Sequence, residues 1–343
     1  MSSRRSTHDV WIVAEYADLL CRLLEQRGIP RARVLEGTGI TPAMLVDPRG
    51  RLPRVPFENL VRRARALSGD DALGFELGLA MNIKTHGFLG YAALSSATLG
   101  DAIDLAVRYW RTRTTALELH YFREGDTVVL QLDERVPLGE LLPFAIDALL
   151  ASFYVIRHQL VREEPEPGMA LVTYAARGYH QRLLEMVGNR MQFECSANQM
   201  RFPASELSRR IEFADPQLVR MAAAQCEEEL KKLRDEAGLL GDVRARVRRH
   251  LKSGATLERI AGEMHMAPRT LRRRLDELGI SFHEIVEQMR RGMAVERLRD
   301  GNEPVDEIAV ELGYSDPSNF ARAFRRWMGV APGRYRAQSR GEG

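Results

Sequence analysis

TLERIAGEMHMAPRTLRRRLDELGIS, from Thr256 to Ser281, and PVDEIAVELGYSDPSNFARAFRRWMGVA, from Pro304 to Ala331, are two copies of one pattern. Leu257, Ile260, Ala261 and Met264 align without a gap with Val305, Ile308, Ala309 and Leu312. After one inserted residue, Leu271, Leu275 and Leu278 align with Phe320, Phe324 and Trp327. Apolar residues three and four apart line one side of a helix, so these positions predict the buried face of a helix pair used twice. The outer face of each second helix follows by elimination: Arg269, Thr270 and Arg273 in the first copy, Ser318, Asn319 and Arg322 in the second. Two short helices crossing at a tight turn, with arginine and amide groups outside, fit a helix-turn-helix that reads the major groove. There guanine offers acceptors to Arg, and adenine an acceptor–donor pair to Asn.

The run between the copies predicts a helix. Phe282, Ile285, Val286, Met289, Met293, Ala294 and Leu298 form one stripe, leaving Arg290, Arg291, Arg297 and Arg299 outside it. Such a helix is roughly 25 Å long and can hold two small readers apart, against the roughly 34 Å between successive major-groove faces of DNA. Arg272, Arg274, Arg290, Arg291, Arg325 and Arg326 are the candidate phosphate contacts. Arg272 and Arg274 align with Ala321 and Ala323 and so repeat no reading position; Arg274 also has Glu277 and Leu278 within reach on its own helix. The acidic pair Asp276 and Glu277 would repel a DNA backbone, so the far end of the first recognition helix is expected to turn away.

This arrangement resembles the DNA-binding domain of the AraC family of bacterial transcription regulators. The resemblance spans about Asp242 to Arg336 and rests most on Ala309, Leu312, Gly313, Tyr314, Phe320, Phe324, Gly329, Pro332 and Tyr335. The first copy departs from it. His265-Met266-Ala267-Pro268 stands where the second has Gly313-Tyr314-Ser315-Asp316, and Ala267 removes a helix cap that family members often supply as serine. Pro268 still preorganises the first turn.

With 343 residues, 45% of them hydrophobic, the chain has room for two or three domains with real cores. Its formal charge is +3, but Asp242 to Arg336 alone carries 19 Lys and Arg against 14 Asp and Glu, a balance of +5. The basic excess therefore sits with the helices that are to meet DNA, and the remainder is slightly acidic. Cys21, Cys195 and Cys226 form no ligand pattern and fit unremarkable thiols in a reducing cytosol. No secretory run follows Arg4 and Arg5, and no segment approaches 18 continuous apolar residues. The expectation is a cytoplasmic protein, at the nucleoid when bound to DNA, with no membrane partner.

Met1 to Asp9 reads as a loose tail, and Val10 to Arg27 as a helix. Ile29 to Pro42 has a weak helix-turn-helix look, better explained as packed helices because it lacks a recognition face. Helical runs follow at Asp71 to Met81 and Leu99 to Arg113. Between them HGFLGYAALSSATLG provides turns and close packing rather than a phosphate cradle. ALELHYFREGDTVVLQLD alternates about Gly125-Asp126 as two strands, Leu138 to Leu160 reads as a core helix, and Ala170 to Tyr174 as a strand. Tyr179 to Met186 returns to helix, and MQFECSANQMRFP suggests two short strands around Ala197-Asn198. The whole is a mixed α/β regulatory domain over 10–213. DAIDLAVRYWRTRT and MQFECSANQMRFP make it similar to the effector domain of the ornithine-regulator-like branch of the AraC family, rather than to the small double-sheet barrel of the arabinose regulator.

Pro216 to Leu240 carries one broad apolar side within an expected linker helix over 214–241, either packed within the chain or serving a dimer. The double helix-turn-helix domain then fills 242–336, an all-α unit with two such motifs joined by a long helix, followed by a loose tail over 337–343. Dispersed histidines make no metal motif, Glu163, Glu164 and Glu166 read as a solvated turn, and no nucleophile signature is present, so no enzyme and no cofactor are expected. The alternative to a regulator is an effector-independent structural DNA-binding protein. The resemblance implies promoter DNA, a homodimer, RNA polymerase contact, activation more often than repression, and a small-molecule effector of unspecified identity. Tyr121, Tyr154 and Tyr174 read equally as lining for such an effector or as ordinary packing.

Overall fold

The first element departs from the expected helix. Trp11–Val13 is a strand, β1, and only Ala14–Gln26 is helix α1. β1 lies antiparallel to β2 (Arg51–Pro53), with Ile12 opposite Leu52, so a run of bulky and β-branched residues takes the extended form it favours. The computed structural model describes residues 10–47, 50–164, 166, 168–181, 185 and 190–339. The expected tail over Met1 to Asp9 lies outside these, as does half of the helix expected from Tyr179 to Met186.

The chain falls into two units, Met1–Lys231 and Lys232–Gly343. In the first, helices α2 (Arg31–Leu35), α3 (Pro42–Val46), α4 (Arg54–Ser68), α5 (Leu73–Ala80), α6 (Gly87–Leu94) and α7 (Leu99–Tyr109) precede the hairpin of β3 (Leu117–Glu124) and β4 (Thr127–Glu134). Helix α8 (Leu142–Leu160) and strands β5 (Met169–Leu171), β6 (Met191–Gln192) and β7 (Asn198–Pro203) follow. The five-stranded sheet has the order β3-β4-β7-β5-β6, with only the β5–β6 pair parallel.

Register makes this sheet one-sided. Tyr121, Leu130, Met200, Ala170 and Met191 form one row across all the strands on the apolar side. The adjacent row carries Gln131 and Gln199 on the polar side, where Gln199 Nε2 donates to Gln131 Oε1 at 2.7 Å.

Pro143 lies in the first turn of α8, at a position where its missing N–H costs nothing. Together with the turn from Gly139, this helix is long and apolar enough to cross a membrane. It instead packs on α5 at Gly74 and Gly78, where a Cβ would lie 2.4 and 2.2 Å from the carbonyl oxygens of Phe144 and Ala148. It also carries the buried carboxylate of Asp147, which accepts from the Tyr179 hydroxyl at 2.7 Å and the Tyr174 hydroxyl at 2.5 Å. His180 Nδ1 accepts from the Arg177 N–H, which leaves the Nε2 proton to face Asp147 at 3.2 Å.

The helix expected to begin at Pro216 is α9 (Pro216–His250), and the division between the units falls within it. The second unit continues with α10 (Leu257–Glu263), α11 (Pro268–Glu277), α12 (Phe282–Asp300), α13 (Val305–Glu311), α14 (Pro317–Met328) and α15 (Pro332–Ser339). Helix α15 takes in the first residues of the stretch read as a tail; 340–343 lie outside the described residues. Two helix-turn-helix units, α10–α11 and α13–α14, are joined by α12, which serves two cores. Its Ile285 and Val286 pack with Leu257, Ile260, Leu271 and Leu275, while Ala294 and Leu298 pack with Ile308, Leu312, Phe320 and Phe324.

Candidate nucleic-acid interface

Burial of Leu271 and Leu275 fixes which way α11 faces. Arg269, Arg272, Arg273 and Arg274 are exposed and Thr270 is half-buried. In the second unit Phe320, Ala323 and Phe324 are buried, leaving Ser318, Asn319, Arg322, Arg325 and Arg326 outside. Each recognition helix thus presents its three candidate readers together.

The starts of the two helices differ. Asp316 caps α14, its Oδ1 accepting from the Ser318 N–H at 2.7 Å, whereas Ala267 gives α11 no side-chain bond. The turns before them also differ. Gly313 takes φ +77°, and a Cβ there would meet the Leu251 carbonyl oxygen at 2.0 Å. His265 takes the same left-handed conformation at φ 53° with a full side chain.

The readers are held differently as well. Arg322 Nη2 donates to Asn319 Oδ1 at 2.5 Å, so a guanidinium and an amide stand as one planar-donor group. Arg273 Nη1 instead pairs with Glu277 Oε1 at 2.7 Å, giving that acid to Arg273 rather than to Arg274.

Arg290, one of the expected phosphate contacts, also makes contacts within the domain. Its Nε donates to the Leu312 carbonyl at 3.0 Å and its guanidinium stacks 4.7 Å over the Tyr314 ring, so it binds α12 to the turn of the second unit. Arg291, next to it, is exposed. Glu287, one turn earlier, was not singled out in the sequence. It accepts from Arg326 Nη2 at 2.9 Å and Trp327 Nε1 at 3.2 Å, tying α12 to the end of α14. The signal available in the sequence was its spacing three residues before Arg290, with which it pairs at 3.6 Å. Lys252 and Glu311 make a further bridge at 2.6 Å, which holds the Glu311 carboxyl below the usual range.

In the first unit, the apolar side of the sheet and helices α7 and α8 line a partly open cavity of about 380 Å³, with Leu119, Leu130, Met200, Ile103, Trp110 and Phe153 among its walls. Tyr154 also lines it, whereas the Tyr174 hydroxyl is spent on Asp147. Among the described residues no cluster of His, Cys, Asp and Glu is placed to hold a metal.

Residues 28–211 match the arabinose-binding N-terminal domain of AraC transcription regulators, and 260–338 match a helix-turn-helix domain. The ornithine utilization regulator of Pseudomonas aeruginosa is 36% identical over 94% of this chain and 95% of its own length. The chain belongs to the AraC family. It is a sequence-specific DNA-binding transcriptional regulator, not an enzyme, and its N-terminal domain resembles that of ornithine utilization regulators. An uncharacterised HTH-type transcriptional regulator of Mycobacterium tuberculosis is 31% identical, covering 92% of this chain and 94% of that one. The crystal structure of the AraC-family chain's structural neighbour CdpR, a transcriptional regulator of Pseudomonas aeruginosa, is 23% identical with a TM-score of 0.46, covering 93% and 96% of the two chains.

Proposed function

We propose that this AraC-family chain controls transcription initiation in response to a small metabolite, binding paired promoter sites as a homodimer. It acts more often as an activator, through contact with RNA polymerase, and works in the cytoplasm on the nucleoid. In this reading 10–213 senses, 214–241 links and 242–336 reads DNA. The carrying observation is the pair of exposed recognition faces, Arg269-Thr270-Arg273 and Ser318-Asn319-Arg322, on one duplicated scaffold. These six contact bases, and Arg272, Arg274, Arg291, Arg325 and Arg326 contact phosphates, while Arg290 positions the second reader. Metabolite control is supported by the apolar cavity and by a relative named for ornithine utilization. Dimerisation adds affinity through effective concentration, with no new base contact.

The test is selection over randomised duplexes at one fixed salt concentration. Arg322→Ala is expected to lose about 1–3 kcal/mol of discrimination at one base position. Arg291→Ala and Arg325→Ala should weaken all sequences alike and reduce the salt slope by about 1 each. A base-preference profile left whole by Arg322→Ala would remove that residue from base readout. Sedimentation with a complete site tests the dimer: one chain per site across the working concentration range sinks it.

A further inference from the structure

Helix α9 has two apolar flanks, and the chain itself covers one of them. Ala222 and Cys226 are buried, Cys226 against Leu89 of α6 and Tyr109 of α7. Leu218 and Met221 are instead 50% and 60% exposed. At about 100° per residue, Leu218, Met221 and Gln225 fall on one side of the buried line and Glu227 on the other. Glu227 pairs with Arg108 at 3.3 Å, which sets α7 on its side. Glu229 turns the opposite way and pairs at 3.2 Å with Arg113, whose Nη1 lies 3.0 Å from where a Gly87 Cβ would stand at the start of α6. The Asp215 N–H donates at 2.8 Å to the carbonyl of Ser95, just past the end of α6. Helix α6 is therefore an antiparallel neighbour of α9, on the flank of Leu218 and Met221.

That neighbour exposes an apolar ridge of its own. Phe88 and Tyr91, three residues apart on α6, are 42% and 48% exposed, while Leu89, Ala92 and Ala93 are buried. Phe213, just ahead of α9, is 59% exposed. Among the described residues of the first unit, these five are most of the eight large apolar side chains left exposed. The antiparallel pairing gathers them into one stripe: Phe88, then Tyr91 beside Met221, then Leu218 and Phe213. Half-exposed side chains of this size bare on the order of 500 Å². That is near the top of the roughly 300–600 Å² of the largest patch on a typical monomer, and more than half of the about 800 Å² that each partner brings to a stable dimer. The stripe carries no charge. Its border is mixed in sign, with Lys84 and the Arg162–Glu212 pair beside Asp215 and Glu228, and gives an anionic membrane or a nucleic acid no basic rim to bind.

We propose that a second copy of this chain docks on the stripe, the two copies meeting about a two-fold axis. The proposal rests on the homodimer reading above and gives that dimer its surface. Phe88 and Tyr91 form one ridge, Leu218 and Met221 another, and the ridges of the partner pack into the groove between them. An uncharged face that supplies both ridge and groove is self-complementary, as an isologous interface requires. Phe, Tyr and Met are also residue types that gather at the centres of such contacts. Helix α9 then serves two uses at once: Ala222 and Cys226 hold it to its own domain, and Leu218 and Met221 turn to the partner.

Sedimentation of the full chain across a concentration series tests this. Met221→Glu and Leu218→Glu, at exposed positions that the monomer fold does not depend on, should each raise the dimer dissociation constant by roughly tenfold or more. Val46→Glu, 73% exposed at the end of α3, should leave it unchanged. Where the wild type pairs only on DNA, the same three variants are compared on a paired-site duplex, with affinity for a single half-site expected to stay constant. Dimers of Met221→Glu and Leu218→Glu as tight as the wild type, or an equal weakening by Val46→Glu, would overturn the surface and leave the homodimer reading intact. One wild-type chain per paired site would overturn both. If vesicles of anionic phospholipid or RNA polymerase holoenzyme bind the wild type but not Met221→Glu, with the dimer unchanged, the face belongs to that partner and the proposal fails.

Discussion

The two helix-turn-helix units share an apolar pattern but not their means of holding shape. The second has a glycine where the turn needs one, an aspartate cap, an aromatic core of Phe320, Phe324 and Trp327, and an arginine bonded to a neighbouring amide. The first has a histidine in the left-handed turn, an uncapped start, an aliphatic core and an arginine bonded to an acid. A duplicated motif can therefore be uniform in what it buries and unequal in how firmly it presents its readers. The second unit is the better preorganised reader, and the first spends part of its recognition charge internally.

The largest test of this contrast removes core volume. Phe324→Ala should cost about 3–5 kcal/mol and Leu275→Ala about 2–5 kcal/mol, measured by denaturant unfolding, with the aromatic site at the upper end. Equal losses, or a larger loss at Leu275, would break the claim that the second core is the stronger. Exchange at the turn comes next. Gly313→Ala meets the Leu251 carbonyl and should destabilise by well over 1 kcal/mol, whereas His265→Gly should stabilise or be neutral because it relieves a conformation costing about 1–2 kcal/mol. A Gly313→Ala protein with an unchanged unfolding midpoint would show that the turn gives way.

Caps should be exchangeable in the opposite sense. Asp316→Ala is expected to lose about 1 kcal/mol, and Ala267→Ser to gain up to that amount, by thermal unfolding of the full chain. Should Ala267→Ser bring nothing, the uncapped start is not what weakens the first unit. Smallest in stability is Glu277→Gln, which opens an exposed pair worth under about 1 kcal/mol. Its value lies in binding: freeing Arg273 should raise DNA affinity most at low salt. An unchanged affinity at every salt concentration would mean that the Arg273–Glu277 pair does not restrain the reader.

The repeat was legible because each unit buries a short stretch at helical spacing, and the hairpin because Gly125-Asp126 separates two alternating arms. Strand β1 was not, since its partner lies in β2, across α1, α2 and α3, and the apolar run of Val10 to Val13 suits either form. The tie of Arg290 to the second turn was not legible for a related reason: the residue sits outside the apolar stripe of α12, yet a long side chain lets it reach back to the Leu312 carbonyl. The pairing of Glu277 with Arg273 follows the four-residue spacing and was within reach of sequence reasoning. The cavity was out of reach, because its walls come from the sheet and several helices with no shared local pattern.

Helix α12 puts Ile285 in one core and Leu298 in the other, and Arg290 pins its middle to the second turn. It therefore sets the angular phase between the recognition helices as well as their separation. One residue added between Val286 and Ala294 would rotate one core against the other by about 100°, whereas four would bring them back to within about 40° and add roughly 6 Å. Length changes in this helix should thus be tolerated in steps of three or four residues or not at all, and a DNA site shifted by whole base pairs has no comparable freedom to follow.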